Sequence, residues 1–235
     1  MDEVIERLRQ ELQGNADEQK RLSGERFFKE EVKLHGLAIP TVNRLAKTYL
    51  HELKARSKQD IFALCEELWK TNYMEEAIVA CTWSHSVHKA YEAEDIEVFE
   101  RWVDNYVTNW ATCDTLCNHS VGDLIDMYPS LVERLKTWAT SYNRWMKRAA
   151  AVSLIVPARH GRFLDDVFQV ADILLQDTDD LVRKGYGWML KSASEAHQTE
   201  VFDYVMRHKA NMPRTSLRYA IEKMPPDLKA QAMAK

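Results

Sequence analysis

The stretch Thr108-Asn109-Trp110-Ala111-Thr112-Cys113-Asp114-Thr115-Leu116-Cys117 sets an indole and a carboxylate four residues apart. On an α-helix that spacing puts Trp110 and Asp114 on one face, about one turn from each other. Thr108 or Asn109 can serve as the N-cap, so the pair falls in the first turns of a helix. Cys117 and Val121 extend the same stripe. A carboxylate beside an indole suits a cation, because one supplies full charge and the other a negative π face. The same spacing equally suits a packed tryptophan with a surface aspartate.

Three further clusters carry chemistry-bearing residues. In Trp145-Met146-Lys147-Arg148-Ala149-Ala150-Ala151, Trp145, Ala149 and Val152 form a packing stripe, and the alanines let neighbouring helices approach closely. Lys147 and Arg148 are then expected to project from another face near a helix start, an arrangement that suits a phosphate. In Arg183-Lys184-Gly185-Tyr186-Gly187-Trp188-Met189-Leu190-Lys191 two glycines stand inside a helical pattern. Each costs about 1 kcal/mol against alanine, so they imply close helix packing or close approach by a ligand. Pro213-Arg214-Thr215-Ser216-Leu217-Arg218-Tyr219-Ala220 opens a basic terminal helix. Cys113, Cys117 and His119 do not make a metal site: His119 points elsewhere on a helix and no fourth ligand is evident, so buried structural thiols are expected. His85 and His88 are expected at the surface, and no phosphate-binding glycine loop or Ser/His/Asp signature is present.

These clusters must be held by helices. Seven glycines and six prolines in 235 residues are few breakers, and no alternating strand pattern of any length occurs. The periodicity predicts helices over 4–13, 17–34 with His35-Gly36 as a stop, 40–55, 58–70 capped by Ser57, 73–90, 95–107 and 110–127. Further helices follow over 129–139, 144–156, 163–175, 180–194, 199–208 and 213–223. Successive pairs recur at roughly 35 to 40 residues, the period of HEAT or armadillo repeats. The expectation is an all-α, curved α-solenoid in a single domain over 1–235. Lead-in helices would run to about residue 35, repeats over 36–223, and a short tail over 224–235.

Composition narrows the function classes. A net charge of −4 argues against indiscriminate coating of nucleic acid. The charge is uneven, however: residues 1–140 hold 17 Lys/Arg against 25 Asp/Glu, and residues 141–223 hold 13 against 10. A basic C-terminal half can still grip a phosphate backbone, because local potential decides contact. No run approaches 18 apolar residues and the start lacks a signal-peptide pattern, so a cytoplasmic protein with four reduced cysteines is expected.

Taken in order, Trp110-x-x-x-Asp114, Trp145-x-Lys147-Arg148-Ala149-Ala150, Gly187-Trp188-Met189-Leu190 and Arg218-x-Ala220-Ile221 resemble the AlkD family. That family consists of DNA alkylation repair glycosylases built from HEAT-like repeats. The resemblance covers residues 22 to 223. It implies hydrolysis of the N-glycosidic bond of cationic 3- or 7-alkylated purines in double-stranded DNA, by a monomer without metal or cofactor. It implies that Asp114 is the catalytic carboxylate and that Trp110 and Trp188 line the cleft beside the lesion's deoxyribose. It also implies that Arg148 contacts the DNA backbone and that Phe27 lines the site. Lys147, Arg183, Lys184, Arg214 and Arg218 are further candidate DNA contacts, if they share one concave face. The chain departs from the family pattern at Asn109, where many members have tryptophan, and at Phe27, where tyrosine is common. Two alternatives use the same scaffold: a non-catalytic binder of DNA structure, and a protein–protein scaffold.

Overall fold

A computed structural model of the chain describes residues 2–234. They fall into two compact units, Met1–Leu116 and Cys117–Lys235. Among the described residues every regular element is helical, and one isolated bridge joins Lys33 to Tyr73. The first unit contains α1 (Glu3–Gly14), α2 (Glu18–Phe27), α3 (Ile39–Leu50), α4 (Lys58–Trp69), α5 (Met74–Ser86), α6 (Asp95–Tyr106) and α7 (Trp110–Leu116). The second opens on a π-helical turn, Cys117–Val121. It continues with α8 (Gly122–Met127), α9 (Val132–Ala139), α10 (Arg144–Val152), α11 (Ile155–Arg159) and α12 (Leu164–Leu174). It closes with α13 (Asp180–Ala193), α14 (Gln198–His208), α15 (Arg214–Ala220) and α16 (Pro226–Met233).

Polar caps set many helix starts. The side chains of Asp2, Asp17, Asn143 and Asp179 each accept from a backbone N–H in the first turn that follows. Ser57 and Asp60 form a full capping box at the head of α4. These caps match the helix starts read from the sequence. Several boundaries differ: the helices expected over 40–55 and 73–90 end at Leu50 and Ser86, and the one expected over 144–156 divides into α10 and α11. The helix expected over 17–34 stops at Phe27, and residues 28–38 run as irregular chain. The long helix expected from Trp110 is interrupted by the π-helical turn. The segment expected as a tail folds as α16.

Each unit is an α-solenoid of paired helices in two rows. In the first, α3, α5 and α7 touch in sequence, backed by α1, α4 and α6. Its core is aromatic, with Trp69, Trp83, Trp102 and Phe99 fully enclosed, and Trp83 Nε1 donates to the Ala46 carbonyl at 2.9 Å, joining α5 to α3. In the second, α10, α13 and α15 form one row, and α9, α12 and α14 the other.

The row α10–α13–α15 is close-packed, and the two glycines of α13 explain how. A Cβ at Gly187 would lie 2.7 Å from Tyr219 Cβ and 3.0 Å from the Ser216 carbonyl oxygen of α15. A Cβ at Gly185 would meet nothing nearer than Arg148 Cγ at 3.5 Å, an ordinary contact. Close helix packing therefore accounts for Gly187. Gly187→Ala is expected to lower unfolding free energy by about 1–3 kcal/mol through overpacking. Gly185→Ala is expected to be neutral, or to stabilise by roughly 0.5–1 kcal/mol through helix propensity. Urea denaturation of the two variants, side by side, checks both.

Candidate active site and nucleic-acid interface

In the first unit, α7 carries Trp110 and Asp114. Its N-cap is Asn109, a buried residue whose Oδ1 accepts from the Thr112 N–H at 3.0 Å. The residue that departs from the family pattern thus has a definite local task. Thr112, Cys113 and Leu116 form the buried face of α7. Trp110 and Asp114 are half-exposed, while Cys117 and Val121 are fully enclosed. The single stripe expected through all four is therefore split. The π-helical turn is wider than an α turn, so the residues after Leu116 no longer keep the register of those before it.

An aromatic group gathers on Trp110. The Phe28 ring lies 5.4 Å from the indole centroid and the Phe27 ring 6.1 Å, and the two phenyl rings meet edge to face. Phe27 is 70% exposed. It stays there although α2 itself has no buried residue. What holds the segment is the loop after it. The Glu75 carboxylate, at the start of α5, accepts from the backbone N–H groups of His35, Gly36 and Leu37 at 3.1, 2.9 and 3.1 Å. Gly36 has φ +90°, and a Cβ there would lie 2.2 Å from the Asp17 carbonyl oxygen, so only glycine fits against the head of α2. Beside it, Glu76 pairs with Arg9 at 3.0 Å and with His35 at 3.3 Å. Phe27, Phe28, Gly36 and Glu75 share the lining of a cleft of about 380 Å³. Burial raises the Glu76 pKa, but hydrogen bonds from His35 and Arg9 outweigh it and hold the carboxyl below its ordinary value.

In the second unit the candidate cations fall on one row. Helices α10, α13 and α15 together hold eight Lys/Arg and one Asp. Helices α9, α12 and α14 hold three Lys/Arg and six Asp/Glu. The cations differ in availability. Arg148 does not project as expected: it is 5% exposed and its Nη1 donates to the Leu181 carbonyl at 2.5 Å, tying α10 to the head of α13. Its side chain runs beside Gly185 of α13 at ordinary contact distance. Lys147 is paired with Asp177 at 2.7 Å, and Lys184 with Asp180 at 2.8 Å. The Asp180 hydrogen bond raises the Lys184 pKa, against partial burial and the nearby Arg148 charge. Arg183 donates to the Asp177 carbonyl at 2.6 Å. Arg214 and Arg218 are exposed on α15, and Trp188 is half-exposed on α13.

The model of the DNA alkylation repair enzyme family matches residues 8–224. The chain belongs to the DNA alkylation repair enzyme family. Membership gives it a role in DNA repair, with DNA as its partner. Among solved structures, a predicted DNA alkylation repair enzyme from Enterococcus faecalis superposes with a TM-score of 0.81 at 14% identity, covering 90% of this chain and 98% of that one. At that identity the likeness is one of fold. None of the curated proteins matches this chain. For a member of this repair family the remaining residues are also placed: Cys65, Cys81, Cys113 and Cys117 are all buried, and His119 is exposed. His85 and His88, expected at the surface, are half-buried with their rings stacked at 4.9 Å. Among the described residues no helix is long and apolar enough to cross a membrane. Sequence reasoning named Phe27 but passed over Phe28, the nearer ring to Trp110, although the two adjoin. It also passed over Glu75, whose role depends on contacts 38 to 40 residues away.

Two outcomes follow. The Glu76 carboxylate is favoured in the folded state, so its contribution is present above the ordinary glutamate value of about 4.3 and lost as pH falls through its lower folded value. The gap in unfolding free energy between wild type and Glu76→Gln should be widest near neutral pH and close below about pH 4. Arg148→Ala should cost about 1–3 kcal/mol of stability by leaving the Leu181 carbonyl without its charged donor. Arg218→Ala, at the surface, should leave stability within about 0.5 kcal/mol of wild type by the same denaturation assay.

Proposed function

We propose that this protein is a DNA glycosylase that hydrolyses the N-glycosidic bond of cationic 3- or 7-alkylated purines in duplex DNA. The observation that carries the reading is the half-exposed carboxylate of Asp114, one helical turn beyond an indole already grouped with two phenyl rings, in a chain of a DNA repair family.

The chemistry fits those residue types. An alkylated purine is a cationic leaving group, so it departs as a neutral base and needs little help from a general acid. As the bond between C1′ and the purine nitrogen breaks, the sugar becomes oxocarbenium-like. The Asp114 carboxylate stabilises that charge and orients water, whose oxygen bonds to C1′ while its proton passes to the carboxylate or to solvent. Indole faces gain about 0.5–2 kcal/mol each as positive charge develops beside them. The basic row of the second unit supplies duplex affinity through Arg183, Arg214 and Arg218, and Trp188 offers a further indole face. Lys147, Lys184 and Arg148 contribute through the ion pairs and helix contact that set that row in place.

Asp114→Asn keeps size and removes charge. Release of methylated purine from methylated duplex should fall by about 10²–10³-fold, the usual loss for a missing electrostatic stabiliser. Affinity for undamaged duplex should hold or rise slightly. Trp188→Ala should lose less activity than Asp114→Asn. Neutral lesions such as 1,N6-ethenoadenine should be poor substrates. Wild-type protein that binds duplex yet releases no methylated base would sink the glycosylase and leave a DNA-structure binder.

A further inference from the structure

Three cations from three elements meet at one cleft of the second unit. Arg183 comes from the first turn of α13, Lys209 from the end of α14 and Arg214 from the start of α15. They line a cleft of about 620 Å³ together with Asn211 and Thr215, and Ala232 and Ala234 at the end of α16 form its far wall. Among the described residues no carboxylate lines it. The contrast lies within the same unit, where the cleft of α12 and α14 is lined by Asp165, Glu200 and Asp203 against a single Arg207.

The present partners of these cations are neutral. Lys209 Nζ donates to the Gln231 carbonyl at 3.0 Å, Arg214 Nη2 to the Met233 carbonyl at 3.4 Å, and Arg183 Nε to the Asp177 carbonyl at 2.6 Å. Asp177, whose carbonyl Arg183 meets, has its own carboxylate engaged by Lys147 and by the Asp179 N–H. Among the described residues the cleft therefore concentrates positive charge with no carboxylate in its lining. An anionic oxygen adds a full charge–charge attraction that a neutral carbonyl cannot offer these cations, so an anion competes for their donors. The Arg forks and the Thr215 hydroxyl match the donors a phosphate takes.

We propose that this cleft binds a phosphodiester of the DNA backbone, with Lys209 as a contact that the sequence reading did not include. The proposal rests on the duplex-binding reading above and adds a specific subsite to it. A backbone is favoured over a free phosphate because Arg218 follows Arg214 at i+4 on the same helix, exposed and one turn further on. That is a second cation along a line, which suits a chain of phosphates.

The test is anisotropy of a labelled, undamaged duplex across a salt series. Its arms are wild type, Lys209→Gln, Lys209→Arg and, as an exposed charge control, Lys89→Gln. Lys209→Gln should weaken binding roughly three- to tenfold near 0.1 M salt and reduce the slope of log affinity against log salt by about one. Lys209→Arg should restore both, and Lys89→Gln should move neither. Wild-type affinity and slope in Lys209→Gln would remove the cleft from the interface while leaving duplex binding intact. A loss of affinity with unchanged slope and a lowered Tm would make Lys209 a mere anchor for α16 and overturn the subsite. If Lys209→Gln keeps wild-type duplex affinity and slope but loses inorganic phosphate binding measured by calorimetry, the cleft is a small-phosphate site instead. Absence of any wild-type binding at low salt would be a different result, since it would remove the duplex reading itself.

Discussion

Helices lie side by side only as closely as their facing side chains allow, and in the second unit that allowance is set at Gly187. With the Tyr219 side chain and the Ser216 carbonyl within about 3 Å of where a Cβ would stand, α13 and α15 meet almost backbone to backbone. Ala149, Ala150 and Ala151 give α10 a similarly low profile, all three being fully enclosed. This close approach draws the basic segments of three helices into one row. Within that row the Arg148 guanidinium of α10 reaches the Leu181 carbonyl of α13. The charge-assisted bond to the Leu181 carbonyl offsets part of the cost of burying that charge.

The first unit solves a different problem. Phe27 must remain in solvent, an unfavourable place for a phenyl ring, while its helix has no buried residue to anchor it. The anchor is a carboxylate that accepts three successive backbone amides, a small anion nest turned inward. Because Glu75 stands in the first turn of α5, the loop bound to it inherits the position of the row α3–α5–α7. The indole of Trp110, from α7 of that row, then meets the phenyl pair. Aromatic placement at the surface is thus decided by polar groups in the interior.

Local chemistry was legible in the residues and long-range chemistry was not. The caps Ser57, Asn143 and Asp179 announce helix starts because their partners lie within three residues. The end of α2 at Phe27 is different: the chain leaves the helix because Glu75, far along the sequence, takes three amides from residues 35–37. The π-helical turn leaves no mark in the apolar periodicity, so Cys117 and Val121 looked like a continuation of Trp110 and Asp114. Arg148 reads as a surface cation by type, and only the Leu181 carbonyl on another helix shows where it fits. Of the candidate contacts, Arg214 and Arg218 are as exposed as their types suggest, while Lys147 and Lys184 are held by aspartates whose proximity in space was not read.

The cysteines carry a consequence for a protein of this repair family. Electrophiles that alkylate purine nitrogens also attack sulfur, and the thiolate is the reactive form. Burial pushes the Cys65 thiol well above its ordinary pKa, keeping it protonated, and its Sγ donates to the Ala80 carbonyl. The other three sulfurs are likewise shut away from solvent. A cell under alkylation stress therefore presents this chain with reagents that find no thiol at its surface. The packing that keeps the helices together also preserves the protein under the conditions that create the damage its family repairs.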